Sequence, residues 1–372
     1  MRILVAPQEF KGSLTAVEAA DAVARGVKAA DPTAEIDLAP MSDGGPGLVD
    51  ALVGAAGGSF ETTAVHDPLM RDVRARWARL SDGSAVIEMA AASGLVLVAE
   101  HERAPLVATT YGTGELVRAA LDGGCSRIIL GIGGSATVDA GAGAMQALGA
   151  RLLDAHGADL PRGGGALRML ERIEVSDVDA RLGDARILVA ADVTSTLCGP
   201  AGAARMFGRQ KGATDEDIET LEASLLHFAD IAQRQFGIDL LSTPGTGAAG
   251  GLAAGLMLIA ATTIEPGFDL VAHAVGLERR VAEADLVITG EGKLDEQSAH
   301  GKTVGGIASM ARRHGKPVVA IAGVAAPEAR GGFDAVVALT DDGTSIEAAM
   351  RDAHDGVANA TERALRAVMK GG

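Results

Sequence analysis

The chain has 372 residues, of which 48% are hydrophobic and only 2% aromatic, and its formal net charge at pH 7 is −16. That length exceeds what one hydrophobic core usually supports, so two domains are expected. The acidic balance argues against nucleic acid and anionic membrane as partners, and the scarcity of aromatics argues against base-stacking surfaces. Any anion site must therefore be built locally, from loop amides and a few lysines. Cys125 and Cys198 lie far apart with no C-x-x-C spacing, which fits a reducing cytoplasm, and MRILVAPQEF has too short an apolar run for a signal peptide.

Arg2 to Ala6 reads as a first strand, broken at Pro7 into a loop that carries Lys11 and Ser13. A helix follows to about Ala30, with Thr15 and Glu18 at capping-box spacing. Ile36 to Leu38 reads as a second strand, ahead of the turn Ser42-Asp43-Gly44-Gly45-Pro46-Gly47. Both loops lie just past a strand end, where open α/β sheets bind ligands. Val73, Ala75 and Trp77 alternate with arginines, the signature of a half-exposed strand, and Val86 to Met89 reads as another. A domain boundary is placed at about His66 to Pro68. Thr110 to Glu115 leads into a helix ending at Asp122.

Arg127 to Gly131 reads as a strand feeding GIGGSATVDAGAGAM, where Gly133, Gly134 and Ser135 are small enough to admit a ligand or a neighbouring backbone. Arg186 to Ala191 is a strand terminated by Asp192, placed as a metal-binding or base carboxylate is in phosphoryl transfer; an ordinary turn cap is the competing reading. Lys211 sits in the loop from Phe207 to Thr214, before a long amphipathic helix from Asp215 to Phe236. Leu240 to Ile264 carries no charge, but Pro244 and several glycines break its first half, and the rest is read as a buried helix rather than a membrane span. Within it Gly245 to Gly250 spells G-x-G-x-x-G, with Glu265 about 20 residues on. The strand before it is poor, so a close-packed glycine turn competes with a nicotinamide site.

From Ala284 to Val304 an apolar strand, Leu286 to Thr289, runs into a polar loop, Gly290 to Gly301, and then a helix ending near His314. The loop holds Glu291, Gly292, Lys293, Asp295 and Glu296, and closes on Gly301-Lys302-Thr303, the ending of a Walker A loop. Glu296 stands where that motif needs its first glycine. The segment reads as a phosphate-handling loop with acids nearby for a metal, against the alternative of a solvated βα turn. Val318 to Ala322 and Ala335 to Leu339 read as strands, and Ser345 to Met369 as one closing helix. Lys11, Lys211 and Lys302 each lie in a glycine-flanked loop, where a long cation reaches a phosphate or simply faces water. There is no H-E-x-x-H zinc motif and no G-x-S-x-G element.

Taken in order, APQEFKGSLTA, PMSDGGPG, EMAAASGL, ATTYGTGEL, GIGGSATVDAGAGAM, GRQKGAT, PGTGAAGGL and ITGEGKLDEQSAHGKT resemble the bacterial glycerate kinases, over nearly the whole chain to about Gly323. The resemblance implies phosphorylation of D-glycerate by ATP with Mg2+, 2-phosphoglycerate being the favoured product. It also implies two α/β domains with a cleft between them. Residues 1–66 and 284–372 would form a discontinuous Rossmann- or flavodoxin-like parallel-sheet domain, and residues 67–283 an inserted mixed α/β domain. Asp192 would be a magnesium ligand or the base, with Lys211 and Asp43 also catalytic and Asp295 a second metal acid. Lys11, Ser13, Gly133, Gly134, Ser135, Gly290, Gly292 and Lys302 would bind phosphate or the substrate carboxylate. Gln8, Glu9, Pro46, Val138 and Ser195-Thr196 depart from the commonest family pattern. The alternatives are a nicotinamide-dependent oxidoreductase using Gly245 to Gly250, and a non-catalytic ligand-binding relative. The expected partners are a small hydroxy acid and a nucleotide, with no nucleic acid and no membrane; a homodimer is left open.

Overall fold

In the computed structural model, which describes residues 1–191, 195–295 and 303–371, contacts divide the chain into two compact units. One comprises Met1–Asp43, Asp50–Gly57 and Phe268–Gly372; the other comprises Gly44–Val49 and Gly58–Gly267.

The first unit is built on a five-stranded sheet in the order β13-β12-β11-β1-β2, with β1 at Arg2–Pro7, β2 at Glu35–Leu38, β11 at Leu286–Leu294, β12 at Val318–Ala325 and β13 at Ala335–Ala338. All its pairings are parallel, and β1 meets β11 in the register Ile3↔Leu286 to Pro7↔Gly290. Parallel strands covered by helices carry continuous apolar runs. Ile3, Val5, Ile288, Val319 and Ile321 are accordingly buried against Val23 and Val27 of one helix and Val357 and Leu365 of another. The first of these, Ala16–Ala30, begins with the expected capping box between Thr15 and Glu18.

The second unit has a six-stranded mixed sheet, β10-β9-β6-β5-β4-β3, formed by β3 (Gly58–His66), β4 (Asp72–Leu80), β5 (Ala85–Glu88), β6 (Arg127–Gly131), β9 (Arg186–Ala190) and β10 (Ala261–Glu265). From β10 to β5 the pairing is parallel, and β4 and β3 add antiparallel. A separate antiparallel pair, β7 (Arg151–Leu153) and β8 (Arg172–Glu174), packs with the helix Asp215–Phe236. The apolar stripe Leu221, Leu225, Phe228 and Ile231 of that helix shares a core with Leu152 and Ile173.

Three expectations need correction. The strand read as ending at Thr289 runs on to Leu294, because pairing with β12 continues from Gly290↔Ile321 to Leu294↔Ala325 and satisfies the backbone through the glycines. The apolar half of Leu240 to Ile264 forms only a short helix, Leu252–Leu256, before β10 adds to β9. The closing helix is two, Ile346–Arg351 and Ala353–Gly371, separated at Asp352, whose φ of −105° and ψ of 28° leave the helical range. Among the described residues no helix is long and apolar enough to cross a membrane.

Candidate active site

In the second unit the site residues gather past the ends of β6 and β9, whose last residues pair as Gly131↔Ala190. The chain beyond Gly131 turns back through Gly133, Gly134 and Ser135. Leu95 donates its N–H to the Gly134 carbonyl at 2.9 Å, and Ala136 donates to Ser93 O at 2.9 Å, so the turn is fastened to the segment after β5. Asp192, one residue past Ala191, lies outside the described residues.

Lys211 is placed beneath that turn by the short helix Ala203–Phe207 and the turn Arg209–Lys211. It is only 2% exposed, and its Nζ donates to Ser135 Oγ and to Thr137 O, both at 2.7 Å. Burial pulls its pKa from the usual 10.5 down to about 7, with the nearby Asp139 carboxylate acting in the opposite direction. The lysine expected to reach a phosphate from a loop thus holds the glycine-rich turn by its side chain and its carbonyl.

Asp139, which sequence reasoning left without a role, is completely buried. It accepts from Thr110 N at 2.8 Å, Thr110 Oγ1 at 2.9 Å, and the N–H groups of Gly141 and Gly143 at 3.2 Å each. Burial pushes its carboxyl up, and these donors hold it down. Its only sequence signal is an acid at the start of a glycine-rich helix, which any cap would also give.

In the first unit the predicted residues lie past β1 and β2 and in or just past the end of β11. Gln8 N donates to Gly290 O at 2.8 Å, bringing the loop with Lys11 and Ser13 alongside β11. Ser13 Oγ donates to Phe10 O at 2.9 Å, closing that loop as a tight turn. Gly290 and Gly292 are strand residues, and Lys293 pairs with Asp295 at 3.4 Å. Burial and then the neighbouring Asp43 hold the Glu9 carboxyl above its usual range, while Lys11 pulls it back. Lys302 lies outside the described residues.

The glycerate kinase family model matches residues 3–369. The chain belongs to the glycerate kinase family. It is 46% identical over 371 residues to "Glycerate kinase" of Bacillus subtilis (strain 168), covering 98% of this chain and 96% of the relative. It is 43% identical to "Glycerate 2-kinase" of Escherichia coli (strain K12), covering 97% and 96%. A crystal structure from Salmonella typhimurium LT2, of a chain given the name glycerate kinase 2, superposes with a TM-score of 0.91 at 44% identity, covering 100% of this chain and 98% of that one.

Family membership and the local geometry together remove support for the nicotinamide reading. Gly245 to Gly250 follows turns rather than a strand, with a single 3-10 turn at Ala248–Gly250. A Cβ on Gly247 would sit 1.9 Å from Thr196 O, and one on Gly250 2.0 Å from Thr137 O. These glycines let neighbouring loops pack closely, which is the competing reading of the motif. Val138, one of the departures from the family pattern, is fully buried in the apolar core with Leu152 and Leu197. Burial, with Glu222 adding, pushes the Cys198 thiol up to about 12, and burial also raises Cys125.

Proposed function

We propose that this member of the family transfers the γ-phosphoryl group of ATP to D-glycerate and releases ADP and 2-phosphoglycerate. The observation that carries the proposal is the end-to-end similarity to relatives named as glycerate kinases, one of them a 2-kinase. In this reading the glycerate hydroxyl attacks the γ-phosphorus, the bond to the β-phosphate oxygen breaks, and the hydroxyl proton passes to a carboxylate, for which Asp192 is the candidate. Lys11, Lys302, Ser13 and the backbone at Gly133 to Ser135 hold phosphate or the substrate carboxylate, with Gly292 keeping β11 close to the Lys11 loop and Gly290 keeping it close to β12. Lys211 acts through Ser135 and Thr137, by fixing that backbone. Such groups work by positioning and by neutralising charge spread over the transferred oxygens.

The acids present suit magnesium. Mg2+ is commonly held by one or two carboxylates together with nucleotide phosphates rather than by an all-protein cage. The described residues contain no cluster of three or more His, Cys, Asp or Glu, yet Glu9 and Asp43 are close enough to raise the Glu9 pKa. Asp192 or Asp295, or Asp43 as a secondary acid, is the candidate to hold the ion, which when bound would neutralise charge on the phosphate oxygens. A cytoplasmic location accords with two unpaired cysteines, and assembly as a homodimer is for sedimentation velocity to test.

Replacing Asp192 with Asn is expected to lower kcat about a hundredfold or more while ATP still binds. Steady-state ADP release with D-glycerate, with nucleotide binding measured separately, tests the assignment. An Asp192→Asn protein with wild-type kcat would remove Asp192 from the reaction.

A further inference from the structure

The first unit contains a cavity of about 280 Å³ at the carboxyl edge of its parallel sheet. That volume is close to the lower bound of roughly 300 Å³ for small-molecule sites, and the sheet edge is where α/β folds bind ligands. One side is the turn Phe10 to Leu14; the other is the helix Ile346–Arg351 with the start of the one that follows. The two approach closely because Gly12, at φ +80°, lies against Met350, whose Cε a Cβ there would meet at 3.1 Å. The walls are apolar, contributed by Leu339, Ile346 and Met350, while Lys11, Ser13 and Lys293 line the same space. Ile346 is 57% and Met350 44% exposed, so the cavity opens to solvent and large apolar side chains stand uncovered at its mouth.

An apolar slot with lysines on it fits a ligand that is part flat and apolar, part anionic. The two reactants of the proposed reaction differ sharply in this respect. D-glycerate is a small hydroxylated carboxylate with no apolar face to bury. ATP has an apolar heteroaromatic ring joined to a polyanion.

We propose that this cavity receives the adenine ring of ATP, with Lys11 and Lys293 on its phosphate side. The inference rests on the kinase reading for its choice of ligand, and it assigns the apolar wall of Leu339, Ile346, Ala349 and Met350 to nucleotide binding. Ala349 lines the cavity and is nearly buried, so a phenyl ring at that position would fill the space.

The test is calorimetric titration of wild type, Ala349→Phe and Met350→Ala with ADP and, separately, with inorganic tripolyphosphate, after thermal melts of all three proteins. ADP affinity should fall about tenfold or more in Ala349→Phe and about threefold in Met350→Ala, with tripolyphosphate affinity and the KM for D-glycerate unchanged. Unchanged ADP affinity in both variants would overturn the proposal, as would parallel loss of ADP and tripolyphosphate binding. If wild type phosphorylates D-glycerate but ADP ignores both substitutions, the pocket assignment fails and the kinase reading stands. If ADP binding responds as predicted but no glycerate is phosphorylated, the kinase reading fails and the pocket stands.

Discussion

Lys211 is an ammonium held out of water, and its two protein acceptors, Ser135 Oγ and Thr137 O, are both neutral. A lysine whose folded pKa of about 7 lies below the ordinary 10.5 binds fewer protons folded than unfolded between those values. Stability therefore rises with pH across that window, being most reduced below about 7 and free of the penalty above about 10.5. Urea midpoints measured from pH 7 to 10 should climb in wild type, and Lys211→Met should flatten the climb. A wild-type midpoint insensitive to pH in that range would contradict the buried-ammonium account. Removal of Asp139 is a separate matter, because four donors from Thr110, Gly141 and Gly143 would lose their acceptor inside the protein. Asp139→Ala should lower the unfolding free energy by about 3 to 5 kcal/mol, read by chemical denaturation; a loss under about 1 kcal/mol would mean that those donors find other acceptors.

Among the elements, the strand β11 shows most clearly what sequence reveals and what it hides. The strand β6 and the helix Asp215–Phe236 are legible to the residue, because an unbroken apolar run and a capped 3.6-residue stripe leave little choice of structure. The end of β11 is not. Gly290 to Leu294 has the composition of a loop, and only the presence of β12 alongside makes it a strand. A Cβ on Gly290 would meet Ile321 O at 2.1 Å, so Gly290→Ala must push β11 from β12. That substitution should lower the melting temperature by several degrees, corresponding to roughly 1 to 3 kcal/mol, and an unchanged melting temperature would show that the two strands give way freely. By contrast Thr15→Ala removes a solvent-exposed cap and should cost about 1 kcal/mol. The roles of Lys211 and Asp139 escape pattern reading for a related reason. Whether a glycine-flanked lysine faces water or an interior turn depends on residues some 70 positions away, here Ser135 and Thr137, paired at separations of 76 and 74.

For the molecule as a whole, an acidic chain must handle an acidic nucleotide and an acidic acceptor. An ordered set of loops is spread over most of its length, and their resemblance to the glycerate kinases is borne out by the family match from residue 3 to residue 369. Loop identity was readable because turn chemistry is local; the burial of Lys211 was not, because it is made by packing. The proposed reaction is phosphoryl transfer to the hydroxyl on the second carbon of glycerate. It is tested most directly by incubating the protein with ATP, Mg2+ and D-glycerate and following the phosphorylated products by 31P NMR. ADP and 2-phosphoglycerate are expected in equal amounts; ATP left intact, or ADP formed with no phosphoglycerate, would rule the reaction out.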